Sequence, residues 1–99
     1  MRPAQRLGCA VGAASALAGC ARHATLADCS ALLDRYVELL VRQENPKADD
    51  MEIAKHKSAT REKAVNDPSF ASCPKEVSRD AVRCAMGAPN VDEFEKCLE

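Results

Sequence analysis

The sequence predicts an all-α fold: a small disulfide-braced bundle of three to four helices that follows a cleaved leader. Three observations carry that expectation. Apolar residues stand at Cys29, Leu32, Leu33, Tyr36, Val37 and Leu40, the i, i+3, i+4, i+7, i+8, i+11 stripe of an amphipathic helix. Helix-start residues and Pro or Gly stops then recur along the chain, and no alternating strand pattern, repeat or low-complexity tract competes with them. Four cysteines lie downstream of residue 20, an even number that suits two cross-links in a domain too small for an extensive core.

The first nineteen residues are built differently from the rest. Arg2 and Arg6 give a positive start, Leu7 to Gly19 carry no charge, and the small residues Ala18 and Gly19 lead into Cys20. The uncharged run is shorter than the roughly 20 apolar residues that a bilayer span requires. Leu17-Ala18-Gly19-Cys20 resembles the lipobox of bacterial lipoproteins at all four positions. That resemblance implies a signal peptide over 1–19, removed together with Cys9, and lipidation of Cys20 on its sulfur and new amino terminus. It divides the remainder into a lipidated tether, 20–25, and a helical domain, 26–99. Ala21 follows the lipid site where an aspartate would favour retention in the inner membrane. By resemblance to sorting in well-studied Gram-negative lipoproteins, this implies an outer-membrane location facing the periplasm. A cleaved, soluble secreted protein is the alternative.

Without Arg2 and Arg6, the 14 basic side chains fall to 12 against 15 acidic ones, a net charge of −3 with histidines neutral. Aromatic residues are limited to Tyr36, Phe70 and Phe94. This composition supports neither nucleic-acid binding nor electrostatic attraction to anionic lipid. Membrane contact is expected to come from the acyl chains, at about 0.8 kcal/mol per buried methylene.

The helices are expected as follows. Thr25 and Asp28 form a capping-box pair ahead of the first stripe, and Asn45-Pro46 ends that helix. Asp49 or Asp50 caps a second helix running to about Val65, rich in Lys, Glu and Arg, with Met51, Ala54 and Val65 as a thin buried edge. Asn66-Asp67-Pro68 breaks it, and Phe70 anchors a connecting loop. Pro74 suits the first turn of a third helix lined by Val77, Ala81, Cys84, Ala85 and Ala88 and closed by Gly87-Ala88-Pro89. Asn90 with Glu93 caps a short last helix carrying Val91, Phe94, Cys97 and Leu98.

Helical geometry restricts the pairing of Cys29, Cys73, Cys84 and Cys97. Cys73 and Cys84 flank one helix and are 11 residues apart, a rise of about 16 Å, whereas a disulfide needs Cα atoms within roughly 7 Å. That removes Cys73–Cys84 and its complement Cys29–Cys97. Cys29–Cys73 with Cys84–Cys97 is preferred, because a hairpin about residues 87–90 matches Cys84 to Cys97 better than Cys73. Cys29–Cys84 with Cys73–Cys97 stays open.

Enzymatic and cofactor chemistry finds no motif. The cysteine gaps lack the closely spaced pairs of a zinc site, and C-x-x-C and C-x-x-C-H are absent. Ser30, Ser58, Ser69, Ser72 and Ser78 lie in no G-x-S-x-G elbow. His23 falls in the tether and His56 among lysines, both expected to be solvated. Asp49-Asp50 and Asp92-Glu93 sit at helix starts, where they complement the helix dipole. The expectation is no catalytic residue, no metal and no cofactor.

Cys29-Ser30-Ala31-Leu32-Leu33-Asp34-Arg35-Tyr36, with Cys84-Ala85-Met86 and Glu95-Lys96-Cys97-Leu98, is similar to small four-cysteine helical lipoproteins of myxobacterial type. This resemblance implies the fold and the location and carries no activity. The expected role is a structural or protein-interaction module, anchored through its N-terminal lipid and partnered by an envelope protein. The alternative is a small-molecule binder or enzyme accessory with a pocket between helices.

Overall fold

The structure, a computed structural model, describes residues 23–99; the leader, Cys9 and the lipobox with Cys20 lie outside that range. Five helices follow one another: α1 (Leu26–Glu44), α2 (Asp50–Ala64), α3 (Pro68–Glu76), α4 (Arg79–Met86) and α5 (Val91–Cys97). The long α1 is the hub, and each of the other four packs against it. The all-α, disulfide-braced architecture stands, with one helix more than the three to four expected.

Each helix begins where a short polar side chain replaces a missing backbone partner. At α1 the capping box is complete. Asp28 N–H donates to Thr25 Oγ1 at 3.0 Å, and Thr25 N–H donates to the Asp28 carboxylate at 2.9 Å. That bond, and the Thr25 hydroxyl after it, holds the Asp28 carboxyl below the usual aspartate range. Asp49, Ser78 and Asn90 cap α2, α4 and α5, each accepting from the backbone N–H three residues on.

Cys29, Leu32, Val37 and Leu39 are buried along α1, and Leu33, Tyr36 and Leu40 are half-buried. Leu39, absent from the sequence stripe, is buried because α1 is covered on more than one side. The core cluster joins Cys29, Leu32 and Leu39 to Val82, Ala85, Ala88, Val91 and Phe94. Arg35 adds a polar tie across it, donating to the Ala88 carbonyl at 2.9 Å.

Three expectations change. The buried edge of α2 is not Met51, Ala54 and Val65, all of which face solvent, with Met51 78 % and Val65 76 % exposed. It is Ile53, Lys57, Thr60 and Ala64, at i, i+4, i+7, i+11, the first and last buried and the middle two half-buried. The second change concerns the predicted third helix, which is two helices. Pro68, not Pro74, takes the first turn of α3, because Asp67 caps it by accepting from Ser69 N–H at 2.9 Å. Phe70 therefore lies within a helix rather than a loop, and Pro74 falls near its end. Val77 and Ser78 are extended, and α4 restarts at Arg79.

The third change is at the tether. Ala24 N–H donates to the Val77 carbonyl at 2.8 Å, His23 bridges Ser78 in antiparallel fashion, and Ala24 is buried in the core cluster. His23 and Ala24, read as tether in the sequence, thus pack against the helices.

Candidate functional site

Where α1, α3 and α5 meet, the bundle leaves an open apolar groove of about 340 Å³. Cys29, Leu32, Leu33 and Tyr36 form the α1 wall. Phe70, Cys73 and Val77 form a second wall, and Phe94, Glu95 and Leu98 a third. The second wall follows helical spacing, since Phe70, Cys73 and Val77 stand at i, i+3 and i+7. Tyr36 and Phe94 pack with ring centroids 5.2 Å apart and tilted planes.

Tyr36 and Glu95 are the ionisable groups of the lining, the two cysteines being cross-linked. Tyr36 Oη donates to Glu95 Oε2 at 2.8 Å. That bond, reinforced by burial and by the negative charge of Glu95, pushes the phenol above its usual range. The phenol therefore stays protonated, and the groove presents an apolar floor with a single hydrogen-bonded polar pair. Its chemistry suits an apolar group, held by shape and exclusion of water.

The cysteines predicted from the sequence come together as Cys29–Cys73 and Cys84–Cys97, with Cα–Cα distances of 6.3 and 5.6 Å. Of the two schemes left open by spacing, the fold contains this one. The premise used to discard Cys73–Cys84 needs correction, because the stretch between them is broken at Val77–Ser78 and is not one helix. Cys29–Cys73 links α1 to α3 and forms part of the groove; Cys84–Cys97 closes the α4–α5 hairpin, with Cys84 exposed.

His56 is exposed and lines a smaller, mixed-polarity recess of about 250 Å³ between α1 and α2, with Leu40, Glu44, Glu52 and Thr60. His23 is placed at the fold's edge by its bridge to Ser78. Among the described residues no cluster of three or more His, Cys, Asp or Glu is arranged to hold a metal ion, and no helix is long and apolar enough to cross a membrane.

The groove was not read from the sequence. The Phe70, Cys73, Val77 spacing was available as a signal, but it became visible only with α3 starting at Pro68. Compared with known proteins, the chain matches no family model, no curated protein and no solved structure.

Proposed function

We propose that this chain is a lipoprotein of the bacterial cell envelope, whose helical domain acts as a structural or protein-interaction module at the membrane. The observation that carries the reading is Leu17-Ala18-Gly19-Cys20 behind an uncharged run and two arginines. The disulfides support it, since every described cysteine is paired, as suits an oxidising compartment. Residues 1–19 would be removed, Cys20 would carry the lipid, and Ala21 favours outer-membrane delivery facing the periplasm.

The test is an intact mass of membrane-extracted protein before and after thiol alkylation. A mass starting at Cys20, with acyl chains and no alkylation, is the expected result. A mass without acyl chains, or with alkylated Cys29, Cys73, Cys84 and Cys97, would overturn the reading. Cross-linking in intact cells then identifies the envelope partner.

The groove favours a second reading, a small-molecule binder or enzyme accessory. A specific small molecule that co-purifies with the protein, in the absence of any recurring protein partner, would establish that reading instead.

A further inference from the structure

We propose that the groove and the exposed leucines beside it form a membrane-seating surface, occupied by acyl chains of the bilayer that holds the anchor. The proposal rests on the lipid-anchor reading of Cys20 and adds an orientation to it. The argument begins at the point where the chain becomes fixed. His23 bridges Ser78 and Ala24 bonds to the Val77 carbonyl, so the chain is fixed to the fold by the third residue after Cys20 at the latest. Three extended residues reach at most about 11 Å. The polar layer on each side of a bilayer is itself about 5–8 Å thick. The end of the domain bearing His23 and Ser78 is therefore held against the membrane and cannot float free of it.

The groove reaches that same end. Val77, whose carbonyl receives Ala24, is also one of its walls. Leu26 is 60 % exposed and lies three residues before Cys29 and seven before Leu33, extending the α1 wall on the same helical face. Leu98, 39 % exposed, stands on the α5 wall. These side chains are in water in the isolated domain and would be covered by acyl chains when it sits on the bilayer. The tether supplies the high local concentration that makes such a weak contact persistent.

The electrostatics point to apolar seating rather than headgroup attraction. The one charged side chain in the lining is Glu95, which is bonded to Tyr36 and would repel anionic headgroups. The contact should therefore be insensitive to salt. Met51 provides an internal comparison. It is equally apolar and 78 % exposed, but it follows the far end of α1, whose 19 residues span about 28 Å.

The chain contains no tryptophan, so each substitution introduces a single reporter. Acylated Leu26→Trp, Leu98→Trp and Met51→Trp proteins are reconstituted into phosphatidylcholine vesicles with brominated acyl chains, which quench indole fluorescence on contact. Leu26→Trp and Leu98→Trp are expected to lose roughly half their emission or more, as for side chains buried at the acyl boundary. Met51→Trp should keep its emission, and added salt should change none of the three. Leu26 lies outside the core cluster, so its variant keeps the test decisive if Leu98→Trp disturbs folding.

Acylated protein whose Leu26→Trp emission is quenched no more than that of Met51→Trp would overturn the seating surface while leaving the anchor intact. The same holds if unquenched protein cross-links to a second copy through the groove. An intact mass lacking acyl chains would instead remove the anchor reading, and the seating proposal with it.

Discussion

Removing the Cys29–Cys73 bond, by Cys29→Ala together with Cys73→Ala, tests what holds α3 in place. The bond closes a loop of 44 residues, which on the chain-entropy account contributes about 4 kcal/mol. A domain of this size has a total stability of about 5 kcal/mol or somewhat more, so most of the margin is at stake. At about 4–8 °C per kcal/mol, the melting temperature should fall by about 15–30 °C. The loss should also be local in character. None of the nine residues of α3 is fully buried, and Pro74 lacks the N–H that would bond one turn back. Helices shorter than about 12 residues do not persist without tertiary support. Without the bond, half-buried Phe70 is the main remaining attachment. Urea denaturation followed by circular dichroism measures the total, and amide exchange locates it. The α3 amides should exchange nearly as fast as in an unfolded chain while those of α1 stay protected. A loss below about 1 kcal/mol, or α3 amides as protected as before, would refute the reasoning, showing that packing alone secures α3.

Four further outcomes are expected. Partial reduction with timed alkylation should open Cys84–Cys97 before Cys29–Cys73, because Cys84 is exposed whereas Cys29 is 2 % exposed. The Asp28 carboxyl is held low in the fold, so its support is fully present above the unfolded value of about 3.9 and is lost as pH falls through the folded one. Asp28→Asn should remove that part of the acid dependence in a urea series across pH. Tyr36 is shifted up, so its neutral form is favoured by folding; that stability is present below the unfolded value of about 10 and is lost as pH rises through the folded one. Glu95→Gln should bring the ultraviolet phenolate titration back toward the ordinary value. Gly87 has φ −92°, and an added Cβ would meet only Arg83 and Cys84 carbonyl oxygens at 3.7 and 3.8 Å. Gly87→Ala should therefore stabilise by about 0.4–1 kcal/mol, measured by thermal melting.

What could be read in the sequence was what local chemistry decides. The Thr25/Asp28 box, the Asp49 and Asn90 caps, and the stops at Asn45-Pro46 and Asn66-Asp67-Pro68 depend on neighbours within a turn, and all fall where expected. One error was local, the choice between Pro68 and Pro74, and the others arose where distant contacts decide. Pro68 and Pro74 are equally suited to a first helical turn, and only the Asp67 cap distinguishes them. The break at Val77–Ser78 carries no glycine or proline, because it is held by pairing with His23 and Ala24, more than fifty residues earlier in the chain. In α2 the buried face contains Lys57 and Thr60, both half-buried, and Lys57 reaches Glu38 of α1 at 3.8 Å. Met51 and Val65 appear more apolar but point away from α1. The groove needs three helices to exist and has no signature in any single segment.

The bracing of this bundle is uneven, and the unevenness follows its geometry. Both disulfides lie on the α3–α4–α5 side of α1, one of them within the groove and the other ending at Cys97, next to Leu98. α2 has no cysteine and is held by Ile53, Ala64 and ion pairs to α1: Arg61–Asp34, Lys57–Glu38 and, at its start, Asp50–Arg42. Such surface pairs contribute little each and are screened by salt. The Arg61–Asp34 pair, bonded through Arg61 Nε at 2.9 Å, is the best formed of them and raises the Arg61 guanidinium further above its already high range. With Ile53 and Ala64 buried, α2 is held to α1 by packing and these pairs alone, with no covalent link. The cross-linked side is also the side that carries the groove and the entry of the chain at His23. If the anchor is at Cys20, the cross-linked part of the domain sits at the membrane, and the charged α2, which no disulfide ties, packs on α1 away from it.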